Sequence, residues 1–151
     1  GTGVLAFAAA FLWPDATIVA TDIDPAAVEV TRANAAANGI ADLELLVADG
    51  ALHDAITERG PYDLVIANIL AGPLVSMAPE LAAIAAPGAA IVLAGLLETQ
   101  RGQVIEAFAA CGCTLEAVDR RGDHALRPRN AARSQGAGRL GAGPLTVLGL
   151  A

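Results

Sequence analysis

Short aliphatic segments alternate with longer alanine-rich segments through the first 119 residues of the chain. Aliphatic runs of roughly four to eight residues are typical of buried strands, and the predicted strands are residues 17–20, 43–47, 64–68, 90–94 and 114–118. Predicted helices cover residues 3–12, 25–38, 74–86 and 99–110. Strands that alternate with helices are joined by right-handed crossovers and lie parallel in one sheet. The pattern therefore predicts an α/β fold with a mainly parallel sheet.

The composition supports a folded core and argues against two classes of partner. Hydrophobic residues make up 55% of the chain and aromatic residues only 3%, so aliphatic side chains must form the core. Residues 1–119 contain 15 of the 16 acidic residues and 3 of the 9 basic ones, a net charge of −12, which argues against a nucleic-acid-binding face. No run of about 18 uncharged apolar residues is present, so neither a membrane-spanning helix nor a membrane partner is expected.

Cys111 and Cys113 flank Gly112 and are too close in sequence for an ordinary disulfide. No cluster of Cys or His residues accompanies them, so we interpret them as packing residues and predict no metal site. Cysteines used in this way are typical of a reducing compartment, which predicts a cytoplasmic protein.

Residues 120–151 differ in composition from the preceding part of the chain. They contain six Arg and one acidic residue, are rich in Gly and Ala, and show no apolar period. Such composition is typical of disorder. We interpret residues 1–119 as one domain and residues 120–151 as a disordered tail, with residues 145–150 as a last strand at the sheet edge. The first residue is Gly and no basic signal-peptide start is present, so the chain is interpreted as cut on its N-terminal side.

The chain opens with "GTGVLA", a Gly-x-Gly-x-x-Ala pattern at the start of a predicted helix, and Asp22 follows Gly3 by 19 residues. Glycines let backbone approach a ligand, a helix amino terminus favours negative charge, and an acid at this spacing can bind ribose hydroxyls. Glycine also serves plain tight turns, but the combined pattern favours a cofactor that contains a nucleoside.

Several other polar residues have a structural and a functional interpretation. Asp24 precedes Pro25 and is best explained as a helix cap. Asp49, in "VADGA", either accepts a hydrogen bond from an adenine amino group or belongs to an ordinary Asp-Gly turn. His53 and His124 have no apparent partner and are interpreted as structural or solvated.

Asn68 ends the predicted strand 64–68 in the segment "ANILAGPL". An Asn at a strand end either satisfies turn backbone groups or presents its amide to a bound substrate. The residues alone leave both interpretations open.

Three segments resemble the PrmA-type methyltransferases of ribosomal protein L11. They are "GTGVLAFAAA", "TDIDPAAVEVTRANAAANG" and the long segment that begins "YDLVIANILAGPL", of which "NILAGPL" is the most specific. The resemblance covers roughly residues 1–119. It implies a Rossmann-like class I methyltransferase fold that uses S-adenosylmethionine. It also implies that a first strand, which lies between strands 17–20 and 64–68 in this fold, and a separate N-terminal substrate domain are absent here.

The resemblance further implies roles for particular residues. Gly1, Thr2 and Gly3 would form the loop beside the methionine part of the cofactor, Asp22 would bind the ribose hydroxyls, and Asp49 would lie near adenine. Asn68 would be the catalytic residue beside the sulfonium and the incoming amine. The implied reaction is N-methylation of lysine side chains and an N-terminal amine in a large-subunit ribosomal protein.

Three other hypotheses stay open at this point. A related enzyme could methylate another protein or small molecule, a nicotinamide-dependent oxidoreductase domain would share the glycine and acid pattern, and a non-catalytic remnant would share the fold. Because the middle strand is expected to be missing, we also expect the 151-residue chain alone to fold poorly.

Overall fold

The computed structural model describes residues 1–118, 124–126 and 145–148. The helices in these residues are α1 (Val4–Leu12), α2 (Pro25–Ala37), α3 (Asp54–Thr57), α4 (Ala71–Ile84) and α5 (Arg101–Ala110), and a 3-10 turn (Glu98–Gln100) precedes α5. The strands are β1 (Ile18–Asp22), β2 (Leu43–Val47), β3 (Tyr62–Asn68), β4 (Ala85–Leu97), β5 (His124–Leu126) and β6 (Leu145–Leu148). The alternation predicted from the sequence is therefore present.

Local sequence explains the ends of α2. Asp24 accepts a hydrogen bond from the amide of Ala26 at 2.9 Å, and Pro25 occupies the first helical position. The helix ends at Ala37 with Asn38 as its C-cap, and Gly39 follows with a φ of 67°, a left-handed conformation that suits glycine. The predicted cap and the predicted stop are both confirmed.

The six strands form one sheet in the order β2-β1-β6-β3-β4-β5. Neighbouring strands are parallel except β4 and β5, which are antiparallel. The helical crossovers between successive parallel strands place the carboxyl ends of β1, β2, β3 and β4 at one edge of the sheet. The predicted fold class, an α/β fold with a mainly parallel sheet, is confirmed.

The position of β6 corrects two predictions. Leu145 pairs with Ile18 of β1 on one side and with Leu64 of β3 on the other, so the strand predicted at the edge lies in the middle of the sheet. The position that we expected to be vacant is therefore filled. A strand between β1 and β3 satisfies backbone donors and acceptors on both of its neighbours, which an edge position cannot do.

The segment between α5 and β5 also differs from the prediction. Residues 114–118 do not form the predicted strand and make only an isolated bridge at Ala117. Leu115 is 42% exposed, so this short run lacks the burial that stabilises a strand. On the side away from β3, β4 pairs instead with β5. Both β5 and β6 lie within residues 120–151, the tail that was predicted to be disordered. Disorder was therefore predicted wrongly for β5, whereas β6 lies within residues 145–150, which were predicted as a strand. Residues 119–123, 127–144 and 149–151 lie outside the described residues.

The two faces of the sheet bury different side chains. Alternate residues of β1, β3 and β4 (Val19, Val65, Ala67, Ile91 and Leu93) belong to the cluster that includes α4 and α5. The intervening residues (Ile18, Ala20, Leu64, Ile66, Ala90 and Val92) face the cluster that includes α1. Tyr62 is fully buried in the first cluster, and its hydroxyl donates to the carbonyl of Ile56 at 2.7 Å. The sheet thus separates two apolar layers, as expected for a two-sided α/β fold.

None of the helices in the described part of the chain combines the length and apolarity that crossing a bilayer requires.

Candidate functional site at the carboxyl edge of the sheet

The strand ends bring the predicted site residues to one edge of the sheet. Asp22 is the last residue of β1 and pairs with Val47, the last residue of β2, and Asn68 is the last residue of β3. β6 lies between β1 and β3, so two strand spacings, about 10 Å, separate the backbones of Asp22 and Asn68. Ligands of open parallel sheets bind at this edge.

The glycine loop before α1 has room for backbone only. Gly3 has a φ of 87°, and a Cβ atom there would lie 2.5 Å from Cγ2 of Thr31 and 2.6 Å from Cζ of Phe7. A side chain at this position would clash as well as strain the backbone. Packing against Thr31 and Phe7 therefore explains why this position is a glycine, and the approach of a ligand to Gly3 stays a prediction.

Two side chains of α2 fix the same loop. The Thr31 hydroxyl donates to the carbonyl of Gly1 at 3.4 Å, and the Asn34 amide donates to the carbonyl of Thr2 at 3.0 Å. Thr31 is fully buried. These two residues were not predicted from the sequence, although their spacing of three places them on one face of α2.

Asp22 and Asp24 have different surroundings. Asp22 Oδ1 accepts a hydrogen bond from the amide of Asp24 at 3.0 Å, and its Oδ2 lies 2.8 Å from the amino group of Gly1. The Asp22 side chain is 14% exposed, beside the glycine loop. Asp24 caps α2, so the two carboxylates do not form an acid/base pair. The structure thus leaves Asp22 as the carboxylate that faces the loop.

Asp49 is exposed in the turn that follows β2. Gly50 has a φ of 89°, which fits the turn interpretation. The preceding amide of Ala48 donates to the carbonyl of Asp22 at 3.1 Å, so this turn is attached to the end of β1. Asp49 and Asp22 therefore lie at neighbouring strand ends.

Asn68 is half-buried and faces the end of β4. Asn68 pairs with Ala94, and a Cβ atom at Gly95 would lie 2.6 Å from Asn68 Oδ1. Gly95 also has a φ of 78°. In the described residues the Asn68 side chain makes no hydrogen bond to the turn that follows it, so the turn interpretation lacks its expected contact.

Gly72 and Pro73 lie inside the first turn of α4, which begins three residues before the predicted start. Leu70 precedes the helix and is 74% exposed. The chain therefore turns directly from Asn68 into α4, and the amide stays at the open edge of the sheet.

The surroundings of His53 and of the two cysteines indicate structural roles. His53 Nδ1 accepts from the amide of Ala55 at 3.2 Å and caps the short helix α3, whereas the side chain of His124 lies outside the described part of the chain. Cys111 and Cys113 are free thiols. Burial, and secondarily the neighbouring Cys111, raises the pKa of the Cys113 thiol. Among the described residues no three Cys, His, Asp or Glu side chains are grouped to hold a metal ion.

Residues 1–126 match the family described as "Ribosomal protein L11 methyltransferase (PrmA)". The chain belongs to this family. The resemblance inferred from the three sequence segments is confirmed, and the match extends into β5.

Two PrmA relatives show how much of the family the chain represents. The ribosomal protein L11 methyltransferase of Agrobacterium fabrum is 47% identical over 109 residues, which cover 72% of this chain and 37% of the relative. That of Brucella suis is 44% identical over 115 residues, covering 76% of this chain and 40% of the relative. The chain thus spans about two fifths of the length of these PrmA proteins.

Solved structures support the same fold. A ribosomal protein L11 methylase from Lactobacillus delbrueckii subsp. bulgaricus superimposes with a TM-score of 0.77 at 29% identity, over 85% of this chain and 64% of the other. A methyltransferase from Pyrococcus furiosus shares the fold at a TM-score of 0.68 and 18% identity, over 85% of this chain and 70% of the other. The fold is that of the Rossmann-like class I methyltransferases.

Proposed function

We propose that this chain contains the S-adenosylmethionine-binding part of a PrmA-type protein methyltransferase. The observation that carries the proposal is the convergence of the Gly3 loop, Asp22 and Asn68 at one sheet edge in a chain of the PrmA family. Relatives of this chain are named ribosomal protein L11 methyltransferases, so a ribosomal protein is the proposed substrate.

The residues present suit this cofactor. Gly1, Thr2 and Gly3 would hold its methionine part, because hydrogen bonds to α2 fix the backbone of this loop beside Asp22. Asp22 would accept hydrogen bonds from ribose hydroxyls, and the exposed carboxylate of Asp49 would accept from an adenine amino group. When bound, S-adenosylmethionine supplies a methyl group on an activated carbon.

Asn68 is the proposed catalytic residue because its amide lies half-buried at the open end of β3. An amine must lose its proton before it can attack carbon, and the reference pKa of lysine is about 10.4. A neutral amide oxygen can accept an N–H bond and orient the amine, whereas a carboxylate would stabilise the ammonium form. Alignment of the amine with the methyl carbon is the main contribution that the protein can make.

Calorimetric titration of the 151-residue chain tests the cofactor assignment. We expect S-adenosylhomocysteine to bind with micromolar affinity and NAD to give no heat of binding. Binding of NAD alone would support the oxidoreductase hypothesis, and binding of neither ligand would support a non-catalytic domain.

Mass spectrometry of ribosomal protein L11 after incubation with the chain and S-adenosylmethionine tests the substrate. The expected result is methylation of lysine side chains and the N-terminal amine. An Asn68→Ala chain is the matched control, since it should bind cofactor and transfer methyl groups poorly. Methylation of other proteins to the same extent would favour a methyltransferase with a different substrate. The N-terminal amine and the lysines can be distinguished by peptide mapping.

A further inference from the structure

The turn that carries Asp49 is held on both sides by hydrogen bonds. The amide of Ala48 donates to the carbonyl of Asp22 at 3.1 Å, and the amide of Ala51 donates to Oε2 of Glu80 at 3.0 Å. Ala48 and Ala51 are 7% and 0% exposed, whereas Asp49 is exposed. The exposed carboxylate thus belongs to a short segment whose two ends are buried and bonded.

Glu80 reaches this turn from a separate element, the helix α4 that follows Asn68. Its half-buried carboxylate bonds Ala51 and also packs on the preceding residue, since a Cβ atom at Gly50 would lie 2.9 Å from Oε2. The bond to Ala51 and the close packing on Gly50 both show the turn resting directly on Glu80.

The Ala51 amide depends on Glu80 for its acceptor. Hydrogen bonds from an amide to a carboxylate are shorter and roughly twice as strong as those between neutral groups. Ala51 is fully buried, so removal of the carboxylate would leave its N–H without a partner or force the turn to move. Movement of the turn would displace Asp49, two residues away, and an unpaired N–H would destabilise the turn that holds Asp49 in place.

We propose that Glu80 is a positioning residue for the nucleoside end of the cofactor. It anchors the Asp49 turn to α4 and sets the place of the Asp49 carboxylate without touching the ligand. The inference rests on the function proposed above, in which Asp49 binds adenine.

The affinity of three variants of the 151-residue chain for S-adenosylhomocysteine tests the proposal. Glu80→Ala is expected to weaken binding about tenfold. Glu80→Gln should stay within about threefold of the parent chain, because its amide oxygen can still accept from Ala51. Glu106→Ala removes an exposed carboxylate from α5 and is the matched control, with unchanged affinity.

A double-mutant cycle tests whether Glu80 affects cofactor binding through Asp49. In an Asp49→Ala background, Glu80→Ala should cause less than about a twofold further loss, because the two residues act through one interaction. Full additive losses would overturn the proposal, since Glu80 would then act independently of Asp49.

Hydrogen exchange at the Ala51 amide gives a readout that needs no ligand. Glu80→Ala should accelerate exchange at Ala51 and leave the amides of β2 unchanged, and Glu80→Gln should retain protection. Unchanged exchange in Glu80→Ala would overturn the anchoring role. If the parent chain failed to bind S-adenosylhomocysteine, the proposed function and the affinity effect would both be refuted, while the exchange result would still decide the anchoring of Ala51.

Discussion

Asp22 at the end of β1 and Asp24, two residues later, have different roles. Asp22 faces the glycine loop, and Asp24 caps α2. We expect Asp22→Asn to weaken S-adenosylhomocysteine binding by about 1.5–3 kcal/mol, the scale of hydrogen bonds to a charged group. The amide oxygen of the substituted side chain would still accept from the backbone N–H of Asp24, so the local turn should persist. Calorimetry measures the loss.

Asp24→Ala is the matched comparison. It should lower the free energy of unfolding by about 1 kcal/mol through the lost cap and leave cofactor affinity unchanged. Denaturant titration measures the first effect and calorimetry the second. Equal losses of affinity in the two variants would contradict the assignment of Asp22.

Asn68→Ala should lower turnover about tenfold to a hundredfold with a small change in melting temperature, since the amide contributes alignment. Steady-state methyl transfer at saturating cofactor checks this expectation. Ser76→Ala removes an exposed hydroxyl on α4 that bonds the carbonyl of Gly72 and should leave turnover unchanged. If Asn68→Ala unfolded readily yet kept normal turnover while folded, Asn68 would be a turn residue.

At the scale of single residues, contacts between near neighbours in the sequence were predicted correctly. The cap by Asp24 and the stop at Gly39 follow from neighbours two or three residues away. The bonds of Thr31, Asn34 and Glu80 to distant loops were not predicted, because spacing along one helix does not show which loop packs on it.

At the scale of elements, β6 is only four residues long but occupies a central position in the sheet. Among the strands that the structure describes, β6 has neighbours on both sides, whereas β5 pairs with β4 alone. Val147→Pro removes a ladder hydrogen bond from the middle of the sheet and should cost about 3 kcal/mol or more. Ala125→Pro, in the edge strand β5, should cost about 1 kcal/mol, because edge strands tolerate proline better. The denaturant midpoints of the two variants measure their losses of stability. Equal losses would contradict the central position of β6.

The predicted bounds of the elements were most accurate where the aliphatic run is clear. β2 has the bounds that the sequence predicted, and α5 ends at the predicted residue. The run 114–118 has a similar composition, but its residues 114–117 are exposed. The helix α3 was not predicted because it spans only four residues. The predicted position of β6 was wrong because long-range pairing, and not the order of strands along the chain, determines their order in the sheet.

At the scale of the whole molecule, a filled middle position changes the expected folding behaviour. With β6 in place, β1 and β3 belong to one sheet with an apolar layer on each face. We now expect the 151-residue chain to unfold in one cooperative transition, in contrast to the poor folding expected from the sequence.

The chain contains one tryptophan, which makes this expectation simple to check. Trp13 packs against the apolar cluster that includes α1, so its fluorescence reports on that side of the sheet. Far-UV circular dichroism reports on all helices. The urea transitions measured by Trp13 fluorescence and by circular dichroism should coincide. Separate transitions would show that the two halves of the sheet unfold independently. In Val147→Pro the two transitions are expected to separate.

The position of β6 also determines the order in which the molecule can be assembled. Its two partners, β1 and β3, are synthesised long before Leu145–Leu148 leaves the ribosome. Until then each of them has an unpaired edge, and unpaired edges recruit other chains. Pairing between distant parts of a sequence is also slow, because a long loop must close first. Nascent chains of this protein should therefore bind chaperones until residues 145–148 have emerged, and should be released from them only after β6 has joined the sheet.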